Sequence, residues 1–262
     1  LKTGDHKHVE QRARRNQIAS IVLSEGETSV EELSEKSGVS VMTVYRDVAV
    51  LENAGVLARD RGKVFATASG LHEASARYRL MQEEPQKKAM AQCAAQLIVP
   101  GSSLLIDDST SAVWALRELL DGPALSVVTN SMLVAGEMAG KTKHSLMLLG
   151  GEYQAWAEAT MGPVTCDTLL GIHADVCILS ASGVKNLTLY HPYADVAAVK
   201  RQMMKAASRT IVMLDHTKFA RRALHAFGSL TDVDTVVVDS LTPQETLDRL
   251  KEAGVHVLVA PC

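Results

Sequence analysis

Ser29-Val30-Glu31-Glu32-Leu33-Ser34-Glu35-Lys36-Ser37-Gly38-Val39-Ser40-Val41-Met42-Thr43-Val44-Tyr45-Arg46-Asp47-Val48 reads as two short helices joined by a tight turn. Ser29 with Glu32 three residues on is a capping box, so the first helix starts near Val30. Gly38 supplies the left-handed residue that ends it, and Ser40 caps the second helix. On that second helix Val41, Val44, Val48 and Leu51 recur at helical spacing and predict a buried stripe. Ser40, Met42, Thr43, Tyr45 and Arg46 are left at its start and on its outer face, where a recognition helix meets base edges. The pattern is that of a helix-turn-helix and implies a reader of double-stranded DNA.

The flanks extend the reading. Arg12 to Ser24 predicts a supporting helix with Ile18, Ile21 and Val22 on one face and Arg12, Arg14 and Arg15 near its start, placed to meet phosphates. Val56 to Arg59 and Lys63 to Ala66, around Asp60-Arg61-Gly62, read as a hairpin with a charged tip, which makes the reader winged. The expected DNA contacts are Arg15, Ser40, Met42, Thr43, Tyr45, Arg46, Arg61 and Lys63. Acidic and basic residues are equal in number over residues 1–70, so the case rests on placement rather than net charge. Arg12, Arg14, Arg15, Arg46, Arg59, Arg61 and Lys63 can share one side while Glu27, Glu31, Glu32 and Glu35 face away.

A chain of 262 residues, 47% hydrophobic and 22% charged, has enough apolar material for two domains with cores of their own. The formal charge of -3 excludes a globally basic nucleic-acid coat. Cys93, Cys166, Cys177 and Cys262 are spaced neither as a disulfide framework nor as zinc ligands, which suits a reducing cytoplasm. The first residues are hydrophilic and no apolar run approaches about 18 residues, so neither a secretion signal nor a membrane span is expected. His6 and His8 fall in a polar tail, and no metal or cofactor is expected.

The winged reader is expected over residues 8–68, a linker over 69–83 and a second domain over 84–262. In the second domain short apolar runs alternate with amphipathic stretches. The runs are Ser103 to Asp107, Leu125 to Asn130, Ser145 to Leu149, Ala174 to Ala181, Thr210 to Leu214, Thr235 to Asp239 and Val255 to Val259. Helical patterns lie at Glu84 to Val99, Ser111 to Leu120, Ala194 to Ala207 and Pro243 to Glu252, with Trp114 and Met138 as core. That alternation predicts an α/β layer fold on a mostly parallel sheet.

In such a sheet ligands bind beyond the carboxyl ends of the strands. Asp107-Asp108-Ser109-Thr110-Ser111, Asn130-Ser131, Gly150-Gly151 and Asp215-His216-Thr217-Lys218 stand there. The hydroxyls of Ser109, Thr110 and Ser111 open a helix, where backbone N–H groups and the helix dipole favour an anion such as phosphate. Gly150 and Gly151 allow close backbone approach, Lys200 and Lys218 supply positive charge, and Asp107 and Asp215 can accept from hydroxyls. Simple N-caps and turns explain each motif taken singly; their repetition at successive strand ends points to a small-molecule site. His191-Pro192, between Tyr190 and Tyr193, fits a pocket wall and a turn equally.

These residues resemble the DeoR family of bacterial transcriptional regulators, also called the DeoR/GlpR type. The likeness is carried by Thr43-Val44-Tyr45-Arg46-Asp47, Asp107 to Ser111, Val127-Val128-Thr129-Asn130, Leu149-Gly150-Gly151, Val199-Lys200-Arg201-Gln202-Met203 and Asp215-His216-Thr217-Lys218-Phe219, in family order. The resemblance implies a sensor domain related to ribose-5-phosphate isomerase that holds a phosphorylated sugar or similar metabolite, usually within a repressor. Carried over, Asp107, Ser109, Thr110, Ser111, Asn130, Gly150, Gly151, Lys200 and Lys218 surround the effector; Asp108, Ser131 and Asp215 complete the expected set. Tyr45 replaces a usual Arg, Asp108 a usual Ser, Arg61-Gly62-Lys63 stands where the wing often has His-Gly-Gly, and Tyr190 to Asp195 lacks a common acidic pair. The expected partners are an operator, a small effector and further copies of the chain, as dimer or tetramer. The rival is a sugar-phosphate isomerase-like enzyme with an attached reader, in which Asp107, Asp108, Asp215 and Lys200 move protons. It lacks a recognisable nucleophile–base pair.

Overall fold

The computed structural model describes residues 2–67 and 72–261, and the chain divides into two compact units, 1–78 and 79–262, each described by itself. The first unit contains α1 (Lys2–Glu25), β1 (Glu27–Ser29), α2 (Val30–Ser37), α3 (Val41–Asn53), β2 (Leu57–Asp60) and β3 (Lys63–Ala66). The polar stretch expected as a tail is helical from Lys2. Ser29 and Glu32 close a reciprocal capping box, and Gly38 ends α2 at φ 68°. Ser40 caps α3, its Oγ accepting from the Thr43 N–H at 3.3 Å. Val44, Val48 and Leu51 are fully buried with Ile18, Val22 and Leu33, while Val41 is half-buried at the margin of that core.

The wing has three strands in the order β1-β3-β2, one more than the expected hairpin. Arg61 and Gly62 both take positive φ, 48° and 82°, between the paired residues Asp60 and Lys63. That two-residue loop matches the right-handed twist of the flanking strands. Part of the segment expected to be linker packs on this unit: Ala74 and Ala76 are buried, and the Ser75 N–H donates to the Ala54 carbonyl at 2.9 Å.

The second unit follows α4 (Ala76–Leu80), which straddles the division. It runs α5 (Glu84–Ala95), β4 (Ser103–Ile106), α6 (Thr110–Leu119), β5 (Ser126–Thr129), α7 (Met132–Met138), β6 (Ser145–Leu148), β7 (Glu152–Gln154), β8 (Ala159–Met161), α8 (Pro163–Leu170) and β9 (Ala174–Leu179). Then come β10 (Gly183–Lys185), β11 (Thr188–His191), α9 (Ala194–Lys205), β12 (Ala207–Leu214), β13 (His225–Ser229), β14 (Thr235–Asp239), α10 (Gln244–Glu252) and β15 (Val257–Ala260). Seven strands form one parallel sheet in the order β15-β14-β12-β9-β4-β5-β6.

Period-two alternation feeds two cores. Leu105, Cys177, Leu179, Val212, Leu214, Val236 and Val238 pack on one face of the sheet; Leu104, Ile106, Val176, Ile178, Ile211, Met213 and Val237 pack on the other. Two smaller antiparallel pieces, β10-β11-β13 and the β7-β8 hairpin, are additions with no counterpart in the expected element string. The run expected over Ser145 to Leu149 is a strand over Ser145–Leu148, but it lies at the edge of the sheet and is exposed throughout.

Candidate DNA-reading and effector sites

On the reader the recognition helix is anchored from beneath. Asp47 is 2% exposed and accepts from Arg14 Nε at 2.6 Å and Arg15 Nε at 2.8 Å, which ties α3 to α1. Arg15, expected at a phosphate, is thus held by Asp47. Met42 and Arg46 are exposed, with Ser40 and Thr43 sharing a hydroxyl contact of 3.0 Å at the helix start. Tyr45, read as outward, is half-buried against the core with the Arg59 guanidinium 5.5 Å over its ring. Arg59 is in turn paired with Glu52 at 2.8 Å. Arg61 is exposed at the wing tip, whereas Lys63 reaches Glu27 on β1 at 2.5 Å. Missing from the sequence reading was Asp47 as a hub; its place on the buried stripe, one residue before Val48, is the signal that marks it.

In the second unit the expected residues do gather at the carboxyl ends of neighbouring strands β12, β9, β4, β5 and β6. Asp107 is fully buried and receives four donors: Lys200 Nζ, the Ser109 N–H at 2.9 Å, Ser109 Oγ and the Ser180 N–H at 3.2 Å. Lys200, 2% exposed, also reaches Asp108 at 3.1 Å. Burial and the adjacent Asp108 push the Asp107 carboxyl above its ordinary range, with Lys200 and Ser109 pulling against them. Burial also works against ionised Asp108, but Lys200, His191 and Arg79 outweigh it and hold its carboxyl low. Burial opposes the Lys200 charge, and the two carboxylates overcome it and raise its affinity for the proton.

This arrangement recasts several expected ligand contacts. Ser109 Oγ donates to Asp107 and accepts from the Ala112 N–H, so its hydroxyl is committed within the fold. Thr110, Ser111 and Ser131 are buried in the first turns of α6 and α7, and Ser131 caps α7. Gly151, expected to admit a ligand, is required by packing: at φ 147° an added Cβ would lie 2.1 Å from Thr165 Oγ1 and 2.6 Å from the Met161 carbonyl. Gly150 has open space where a Cβ would stand, and its carbonyl accepts from Thr165 Oγ1 at 2.8 Å. Asn130 is fully buried; its Nδ2 donates to the Thr160 carbonyl at 2.9 Å, and its Oδ1 has no hydrogen-bond partner among the described residues.

Positive charge concentrates on one side. Asp215 caps the turn His216–Phe219 through the Thr217 N–H at 3.1 Å and stands 3.7 Å from Lys218 Nζ. Burial raises the Asp215 carboxyl, but Lys218, Thr217 and Lys87 outweigh it and keep it low. Lys87 on α5, absent from the sequence reading, is 3% exposed and donates to the Arg79 carbonyl at 2.5 Å. Burial first, then the like charges of Lys218 and Arg79, bring its pKa down to about 7. The Arg79 guanidinium lies 5.7 Å over Trp156, which packs 4.8 Å from Tyr193 and 6.2 Å from His191. Lysines and arginines in helices are abundant, so sequence spacing alone gave no signal for either cation. His191 makes the turn, its Nδ1 accepting the Tyr193 N–H at 3.2 Å, and its ring lies 6.2 Å from that of Trp156.

A DNA-reading winged helix followed by an α/β domain with charged groups gathered at its strand ends defines a ligand-sensing transcriptional regulator. Residues 14–69 match the DeoR-like helix-turn-helix domain and residues 82–240 the DeoR C terminal sensor domain. The chain belongs to the DeoR family of transcriptional regulators. It is 29% identical over 251 residues to the glycerol-3-phosphate regulon repressor of Escherichia coli (strain K12), covering 95% of this chain and 99% of that protein. It is also 29% identical over 227 residues to the L-fucose operon activator of Haemophilus influenzae, covering 86% of this chain and 91% of that one. Ribose 5-phosphate isomerase A from Methanocaldococcus jannaschii aligns over 53% of this chain and 55% of its own, at 15% identity and a TM-score of 0.40, a likeness too slight to bear on activity. Among the described residues no helix is long and apolar enough to cross a membrane.

Proposed function

We propose that this protein is a cytoplasmic repressor of a carbohydrate operon, binding a repeated operator as a dimer or tetramer and released by a phosphorylated sugar-type effector. The observation that carries the effector class is buried Lys87, whose Nζ donates to the Arg79 carbonyl, together with Lys218 beside Asp215 at the strand ends. Two lysines and an arginine whose charges oppose one another gain from an anion placed among them. Asp108 and the Asn130 Oδ1, which has no hydrogen-bond partner among the described residues, are acceptors suited to sugar hydroxyls. Repression is favoured over activation by the glycerol-3-phosphate regulon repressor, matched over nearly its full length, although the fucose relative is an activator.

Catalysis is disfavoured because Asp107 and Lys200, the pair best suited to proton transfer, are already paired to each other, with Ser109 and Ser180 also donating to Asp107. The domain is read as a sensor over 84–262 with the winged reader over 8–68. A thermal-shift screen against sugar phosphates and their free forms tests the proposal: an effector at a hundredfold excess over its Kd stabilises by about 2.7 kcal/mol. The stabilisation is expected to vanish in Lys218→Met. A shift given equally by free sugars would remove the phosphate from the proposal, and turnover of the hit would restore the enzyme. In a fluorescence-anisotropy titration on operator DNA, Arg46→Ala is expected to lose at least about tenfold in affinity. Unchanged affinity would displace α3 as the reading helix.

A further inference from the structure

The sheet ends on β6, and this edge lacks the devices by which natural sheets protect their rims. Such rims carry charges, proline or bulges, or are covered. Ser145, Leu146, Met147 and Leu148 contain neither charge nor proline, and Leu146, Met147 and Leu148 are 40%, 46% and 41% exposed. One side of β6 pairs with β5, and its other side has no strand partner among the described residues. At the opposite rim, β15, only Val259 is comparably exposed, at 45%, while Val257 and Leu258 are half-buried and Ala260 is fully buried, so the continuous apolar exposure is on β6.

Charge frames the bare edge asymmetrically. Lys143 precedes β6 and Glu152 follows it; both are exposed and neither is ion-paired among the described residues. A two-fold axis between Leu146 and Met147 sets β6 antiparallel to its own copy. Ser145 then faces the other copy's Leu148, Leu146 faces Met147, and the Lys143 end of each strand lies along the Glu152 end of the other. The same short surface therefore satisfies its N–H and C=O groups, its apolar side chains and its end charges against itself, as an isologous contact requires. A basic or acidic partner strand would match one end and oppose the other.

We propose that the β6 edge is a homodimer contact of the sensor domain, completed by strand pairing with a second copy of this chain. Sedimentation equilibrium of the full chain tests it. The wild type is expected as a dimer or a multiple of one, and Met147→Lys, an exposed position, is expected to halve the mass with an unchanged helix content and a melting temperature that no longer depends on protein concentration. In a separate chain, Ser145→Cys with Leu148→Cys is expected to give an interchain disulfide under mild oxidation that the wild type does not give. A monomeric wild type, an undiminished mass in Met147→Lys, or no new cross-link in the double variant would overturn the proposal.

Discussion

Lys87 and Asp47 show how differently a buried charge behaves when its neighbours repel or attract it. Lys87 has a folded-state pKa of about 7, against 10.5 for an unburdened lysine. Below pH 7 both folded and unfolded chains hold the proton, and the folded chain bears the full cost of burying it. Between pH 7 and 10.5 the unfolded chain binds the proton that the folded chain has released, so this contribution to stability improves as pH rises. Lys87→Met is therefore expected to raise the melting temperature at pH 6, with the gain shrinking toward pH 10. A gain that does not shrink would mean that Lys87 is not the titrating group. An anionic effector reverses the balance by favouring charged Lys87, so wild-type affinity is expected to fall as pH rises above 7 and the pH slope to flatten in Lys87→Met. Asp47 is the opposite case, since Arg14 and Arg15 both converge on it. Asp47→Ala leaves two guanidinium groups without their acceptor, and about 2 kcal/mol of reader stability is expected to go with it. Chemical denaturation read by helix content checks that figure.

At the scale of the element, Gly151 shows a glycine retained for lack of room. Its positive φ and the Thr165 hydroxyl together leave no space for a methyl group. Gly151→Ala is expected to destabilise the sensor by about 3 kcal/mol, whereas Gly150→Ala, facing open space, is expected to cost less than about 1. Equal melting temperatures for the two variants would contradict the packing. The reader's elements were legible because caps and turn residues act locally: Ser29, Glu32, Gly38 and Ser40 fix both helix ends within a few residues. The parallel sheet was legible because both faces are buried and its strands are continuous apolar runs. β6 has the same run without the burial, so composition misled there. The small sheet β10-β11-β13 was illegible because β13 joins it across more than thirty residues of chain, and no local pattern announces a long-range partner. At the site, residues at strand ends were readable from position. Lys87, Arg79 and Trp156 were not, because tertiary packing brings them there from outside the motifs.

For the whole molecule, a formal charge of -3 and a reader with balanced charge limit how strongly phosphates can hold it. With Arg15 committed to Asp47 and Lys63 to Glu27, Arg46 and Arg61 remain outward among the expected cations. Each reader is thus expected to neutralise roughly two to four phosphates, giving a log Kobs against log salt slope of about −2 to −4 per reader bound. A slope several times steeper would mean that a large basic surface lies elsewhere on the chain. The buried cluster of Asp107, Asp108 and Lys200 has a further consequence, for genetics. A selection for alleles that still silence a reporter but ignore the inducer demands a folded chain with a deaf sensor. Substitutions at Lys218 can meet that demand. Substitutions at Asp107 leave buried Lys200 with Asp108 alone and strand the Ser109 and Ser180 donors in the interior. Such alleles should surface among the nulls, cleared by proteases, so the residue most central to the sensor would leave the fewest uninducible mutants.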